Sequence, residues 1–189
     1  MPDDRWLIAG LGNPGSAYAG NRHNVGFMVA DVLATRLPAS FKRDRSRAEV
    51  ATGRLAGLPV TLAKPLGFMN VSGGPVAAVR SFYKVPPDRV VVIHDELDLA
   101  FGEIRAKTGG GDNGHNGLRS VTSALGTRDY HRIRVGIGRP PGRMEPADFV
   151  LRDFSPAERK ELPVLLELAA DLSEDVLSRG VGAAPGDIQ

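Results

Sequence analysis

The chain has 189 residues, 42% of them hydrophobic, enough apolar material for one domain with a sizeable core. It has no cysteine, which excludes disulfides, thiolate metal sites and a cysteine nucleophile. Net charge is only +2, but residues 1–144 carry 20 Lys and Arg against 12 Asp and Glu, whereas residues 145–189 carry 4 against 10, so a basic face suited to a polyanion is expected. The acidic segment either lies away from that face or solvates the outer side of a terminal helix. The Met-Pro-Asp-Asp-Arg start lacks the apolar stretch of a secretion signal, and no apolar run approaches the roughly 18 residues of a membrane span. A cytoplasmic protein without membrane contact is expected.

In chain order, Trp6–Leu11 reads as a short buried strand ended by glycine. Asn24–Leu37 reads as an amphipathic helix, with Pro38 as its stop. Glu49–Leu55 and Pro59–Ala63 form a strand pair around Ala56-Gly57-Leu58. Met69–Tyr83 is a helix despite Gly73, Gly74 and Pro75. Val90–His94 is a β-branched run of the kind covered on both faces. Glu103–Lys107 is a short strand, and the glycine-rich Gly109–Gly117 leads to a helix over Leu118–Leu125 and a strand over His131–Ile137. Ser155-Pro156-Ala157-Glu158 supplies a capping box with proline at the first helical position. That helix should run to Gly180, with Pro163 kinking or splitting it. The tail 181–189 is expected to be loose. The alternation predicts a single α/β domain over residues 1–189, a three-layer α/β/α arrangement around a twisted, mostly parallel, mixed sheet.

Near the start, Gly10-Leu11-Gly12-Asn13-Pro14-Gly15 contains G-x-G-x-x-G after a strand. A dinucleotide fingerprint needs its glycines to open a helix directly, with an acid about 20 residues on at the end of a second strand. Here Gly15 is followed by Ser16–Asn24, which has no helical period, and Asp31 lies inside the predicted helix. The dinucleotide reading is therefore disfavoured.

Polar residues concentrate beside glycine in Gly12–Gly15, Arg22-His23-Asn24, Phe68-Met69-Asn70 and Gly114–Gly117, and in His94–Asp98 after the strongest strand. Ligands of open α/β sheets bind beyond the carboxyl ends of strands. Asn13 and Asp95 each fall at such an end and are expected to share one crevice. No G-x-S-x-G is present, so no activated serine is evident, and there is no H-E-x-x-H or comparable zinc spacing; neither metal nor cofactor is expected.

Together GLGNPG…Y…NRHNVGF, KPLGFMNVSG, HDELDL, GGGDNGHNGLRS and HRIRVGIGRP resemble the motifs of bacterial peptidyl-tRNA hydrolase in kind, order and spacing, over about residues 6–155. Pro163 and the tail VGAAPGDIQ depart from that pattern. The resemblance implies hydrolysis of the ester between a peptide and the terminal ribose of tRNA, which recycles tRNA from prematurely released peptidyl-tRNA. It makes His23 the general base and Asp95 its carboxylate partner. Asn13, Asn70 and Asn116 would bind substrate, Met69 would line the peptide groove, and Tyr18 would lie near the terminal adenosine. Lys107 and Arg134 would meet tRNA phosphate, and the glycine run would close as a lid. The implied partner is the acceptor end of elongator tRNA with its nascent peptide, met by a monomer. The alternative is a non-catalytic RNA-binding scaffold on the same fold. His94 and His131 are read as structural, Glu96 and Asp98 as loop-shaping acids, and Lys42–Arg47 as a solvated loop. His115 could either touch substrate or cap its helix.

Overall fold

The strand β5 (Val90–Glu96) is buried at every position, as expected for a parallel strand covered on both faces. In the computed structural model, which describes residues 3–181, it lies inside a seven-stranded sheet. β1 (Trp6–Gly10) flanks it on one side with β4 (Leu58–Pro65) beyond, and β7 (His131–Gly136) flanks it on the other. These four strands run parallel. The edges are antiparallel: β3 (Ala48–Leu55) and β2 (Lys42–Arg43) extend the sheet past β4, and β6 (Ile104–Thr108) closes it beside β7. The hairpin between β3 and β4 turns through Ala56 and Gly57, both at positive φ, the twist that suits a two-residue connection.

Helices cover both faces. The period-two alternation of β1 and β5 sends Ile8, Val91 and Ile93 to one core and Leu7, Ala9, Val90 and Val92 to the other. The first core is roofed by α1 (Val25–Thr35) and α5 (Pro156–Arg179), the second by α2 (Gly73–Phe82) and α3 (Asn116–Leu125). Arg36, just past α1, pairs with Glu167, Asp171 and Glu174 of α5. The acids of the last segment are in part committed to this inter-helix clamp.

The structure differs from expectation at several points, and Lys42–Arg43, read as part of a solvated loop, pairs with β3 as the exposed edge strand β2. α5 runs unbroken through Pro163, so the expected split does not occur. An interior proline costs about 3 kcal/mol, but the helix beyond it is held by buried Ala169, Ala170, Leu172, Val176 and Leu177. Its start carries the expected capping box, with Glu158 N–H donating to Ser155 Oγ at 3.2 Å. The expected helix over 69–83 divides into a 3-10 turn at Met69–Val71 and then α2. A short helix, α4 (Pro146–Val150), was not expected, because five residues are too few for a periodic signal. Of the tail, Val181 packs against the first core, and residues 182–189 lie outside the described part. Among the described residues no helix is long and apolar enough to cross a membrane.

Candidate active site

The register sets Gly10, the last residue of β1, beside Ile93 of β5, and β5 runs three residues further, so His94, Asp95 and Glu96 extend beside the chain that follows β1. The chain after β1 then stays pressed against the neighbouring helix. A Cβ on Gly10 would lie 2.2 Å from the Gly26 carbonyl oxygen, and one on Gly26 would lie 2.4 Å from that of Ile93. Only glycine fits at either position, and that closeness lowers the start of α1 onto the strand ends.

The 3-10 turn Arg22–Asn24 occupies this junction, and its three side chains divide the work. Arg22 is buried, donates to Glu158 at 2.9 Å and lies over the Phe149 ring, tying the turn to α4 and α5. Asn24 accepts from the Asn13 N–H and donates to the Asn13 carbonyl, each at 2.9 Å. His23, between them, points into a crevice of about 520 Å³.

His23 Nδ1 lies 2.8 Å from Asp95 Oδ2, and Asp95 is buried near the end of β5. A carboxylate only accepts, so His23 carries its proton on Nδ1 and leaves Nε2 with a free lone pair. Burial opposes charging of the imidazole, but the charge and hydrogen bond of Asp95 outweigh it and hold the His23 pKa above its usual 6.5. Burial likewise pushes the Asp95 carboxyl up, yet His23 and His115 together hold it well below the usual carboxylate range.

His115 is the part of this site that sequence reasoning left undecided. Its Nδ1 accepts from the backbone N–H groups of Gly117 and Leu118 at 3.1 and 3.2 Å, capping α3. Its Nε2 must therefore carry the proton, and it donates to Asp95 Oδ1 at 2.8 Å. One carboxylate thus accepts from two imidazoles. His23, Asp95 and His115 have the composition of a metal site, their ligand atoms lying within 4.8 Å of one another. The cap on α3, however, puts a proton rather than a lone pair on the His115 atom facing Asp95.

The asparagines fall around this trio. Asn13 Oδ1 accepts from the Met69 N–H at 2.7 Å, which fixes the amide and turns its NH₂ group away as a donor. Asn70 and Asn116 are exposed along the same crevice, and buried Met69 forms part of its wall. The far side is apolar, from Pro146, Ala147, Val150 and Leu151 around α4. Tyr18 is not among the lining residues; it packs edge-on against Phe68, with ring centroids 6.1 Å apart, at the rim.

Lys107 and Arg134 line a separate cleft of about 440 Å³ together with Arg132. His94 also borders it. That ring is fully buried, donates from Nδ1 to the Asp95 carbonyl at 2.8 Å and has its pKa pushed down to about 3, chiefly by burial. His131 bonds Thr108 and the Asp88 carbonyl, each at 2.8 Å, a structural setting.

The profile of the family described as peptidyl-tRNA hydrolase matches residues 7–189, reaching past the limit of the sequence motifs near residue 155. The peptidyl-tRNA hydrolase of Frankia casuarinae is 67% identical over 182 residues, covering 96% of this chain and 92% of its own. That of Streptomyces coelicolor is 60% identical, covering 95% and 92%. A crystal structure of a variant peptidyl-tRNA hydrolase from Acinetobacter baumannii superposes with a TM-score of 0.89 at 35% identity, covering 97% of this chain and 94% of that one. With the paired imidazole and carboxylate at its strand ends, the chain belongs to the peptidyl-tRNA hydrolase family of enzymes.

Proposed function

We propose that this chain cleaves the ester bond between peptide and tRNA in peptidyl-tRNA, with water as nucleophile and His23 as general base. The carrying observation is the crevice that holds His23 Nε2, backed by buried Asp95, beside the Asn13 NH₂, neither of which has a partner among the described residues. An ester is an activated acyl group, so water needs only a positioned base. His23 Nε2 takes the proton of water while Asp95 holds Nδ1–H and stabilises the imidazolium as it forms. The tetrahedral oxyanion then meets the Asn13 amide, a donor already fixed by Met69 N–H and requiring no reorganisation. The imidazolium returns its proton to the departing ribose oxygen. Asn70 and Asn116 hold the peptide backbone, and Met69 with the α4 face takes its side chains.

The chemistry needs no metal ion, because the trio is wired by protons. Lys107 and Arg134 supply cations at a distance from the ester, where the tRNA backbone would lie. Such contacts fix register and read no sequence, which suits an enzyme that accepts many elongator tRNAs. The same reading takes the enzyme as a monomer acting in the cytoplasm.

The test is incubation of an N-blocked aminoacyl-tRNA with the chain and with His23→Ala in the presence of a chelator. Release of free tRNA by the first and binding without release by the second are expected. Tight binding without release by the unaltered chain would mean an RNA-binding scaffold, and equal loss of binding in His23→Ala would mean that His23 builds the site instead.

A further inference from the structure

The glycine run between β6 and α3 is fastened by side chains at its two ends and at Asp112, which accepts from Gly114 N–H at 3.0 Å and from Arg119 at 3.4 Å. Gly109, Gly110, Asn113 and Gly114 all take positive φ, so the strip has few backbone bonds of its own to keep it in place. At one end the buried Arg132 guanidinium donates to the Gly110 carbonyl at 2.8 Å and to that of Gly111. At the other, the Asn113 amide reaches across to the end of β5, donating to Glu96 Oε2 at 3.0 Å and to Asp98. Arg139 holds Asp98 from the outside, with Nε at 3.0 Å. Glu96 and Asn113 line both the ester crevice and the basic cleft, so this bridge is the wall between them.

We propose that Asn113 is a positioning residue, latching the glycine run onto Glu96 and Asp98 and so setting the wall against which the substrate lies. The kinetic part of this proposal rests on the hydrolase reading above; the latch itself does not. Asn113 stands at φ 51°, a conformation asparagine tolerates better than most residues. Its side chain is uncharged, so it can donate to two acids without demanding a counter-ion. Without the latch, the part of the strip beyond the Arg132 anchor must be ordered anew at each binding event. That cost falls on substrate binding more than on the proton transfer, which His23 and Asp95 perform from other elements.

Asn113→Gly removes the amide while keeping a residue at ease with positive φ. It should speed hydrogen exchange at the amides of 110–114 by tenfold or more, leave exchange in β1 and β5 unchanged, and raise KM about tenfold with kcat within about twofold, the size of one or two hydrogen bonds to carboxylates. Asn113→Asp puts a third carboxylate beside Glu96 and Asp98 and should exceed the glycine variant in both measurements. Adding Asp98→Asn to it reverses donor and acceptor and should recover part of the loss, a rescue that general destabilisation would not give. Unchanged exchange in Asn113→Gly, or faster exchange with an unchanged KM, overturns the proposal. If the unaltered chain released no tRNA, the hydrolase reading would fail, and the exchange rates would still decide the latch.

Discussion

His115 carries two duties that one substitution pair can separate. Its Nδ1 caps α3 and its Nε2–H supports Asp95. His115→Asn keeps a good N-cap side chain but is too short to reach Asp95, whereas His115→Ala loses both. A cap contributes about 1 kcal/mol, and in a chain of this size that is a Tm difference of about 2–4 °C between the two variants. Loss of the bond to the buried carboxylate is common to both and should cost a further 1.5–3 kcal/mol or so. Its second effect falls on His23. Asp95 is left with one donor instead of two, so its charge bears more strongly on His23 Nδ1–H. The His23 pKa, already above 6.5 because Asp95 outweighs burial, should rise further. A base must be deprotonated to act, so activity grows as pH rises through that pKa, and the acid limb of kcat/KM should move to higher pH. If a third to a half of the lost bond reaches His23, the move is about 0.4–1.1 pH unit, or roughly 0.5–1.5 kcal/mol. The assay is kcat/KM against pH, which reports the free enzyme, run beside thermal melts. An acid limb that stays in place or moves down in His115→Asn would refute the sharing of Asp95 between two imidazoles.

Asn13→Ala should lower kcat about 10²–10³-fold with little change in KM, since the amide is assigned to the oxyanion; steady-state kinetics on a peptidyl-tRNA decide it, and a pure KM effect would move Asn13 to the ground state. Lys107→Ala and Arg134→Ala should each weaken tRNA binding and flatten the plot of log K against log salt by about one ion per phosphate lost. Titrations at several salt concentrations measure this, and an unaltered slope would take the second cleft off the RNA path.

The chain's strands and the core were legible because β1 and β5 are apolar runs whose neighbours alternate or terminate at glycine. The position of the crevice was legible for a related reason: Asn13, just past β1, and Asp95, near the end of β5, come together once the two strands are adjacent and parallel. Pro163 misled because a local rule about one hydrogen bond yields to the burial of the later half of the helix, Ala169–Leu177. Tyr18, placed near the terminal adenosine by resemblance, stands half-buried and edge-on against Phe68, which lines the crevice.

His115 shows where local reading stops. Its neighbours Asn116 and Gly117 announce a helix start, so capping could be expected from spacing alone. Nothing nearby in sequence says that the other ring nitrogen faces a carboxylate 20 residues earlier. That contact exists because β5 and the start of α3 meet at the sheet's carboxyl edge, a tertiary fact. The cap bears on that contact. By accepting two backbone N–H groups it fixes which nitrogen of His115 is protonated, and that proton fixes Asp95 as an acceptor from both sides. Asp95 in turn fixes the proton of His23 on Nδ1, leaving Nε2 free toward the crevice. In the proposed mechanism the helix terminus therefore supports the carboxylate that holds the His23 proton, two imidazoles from the crevice-facing Nε2. Substitutions at the start of α3 that disturb the cap would reach the proton transfer without touching substrate.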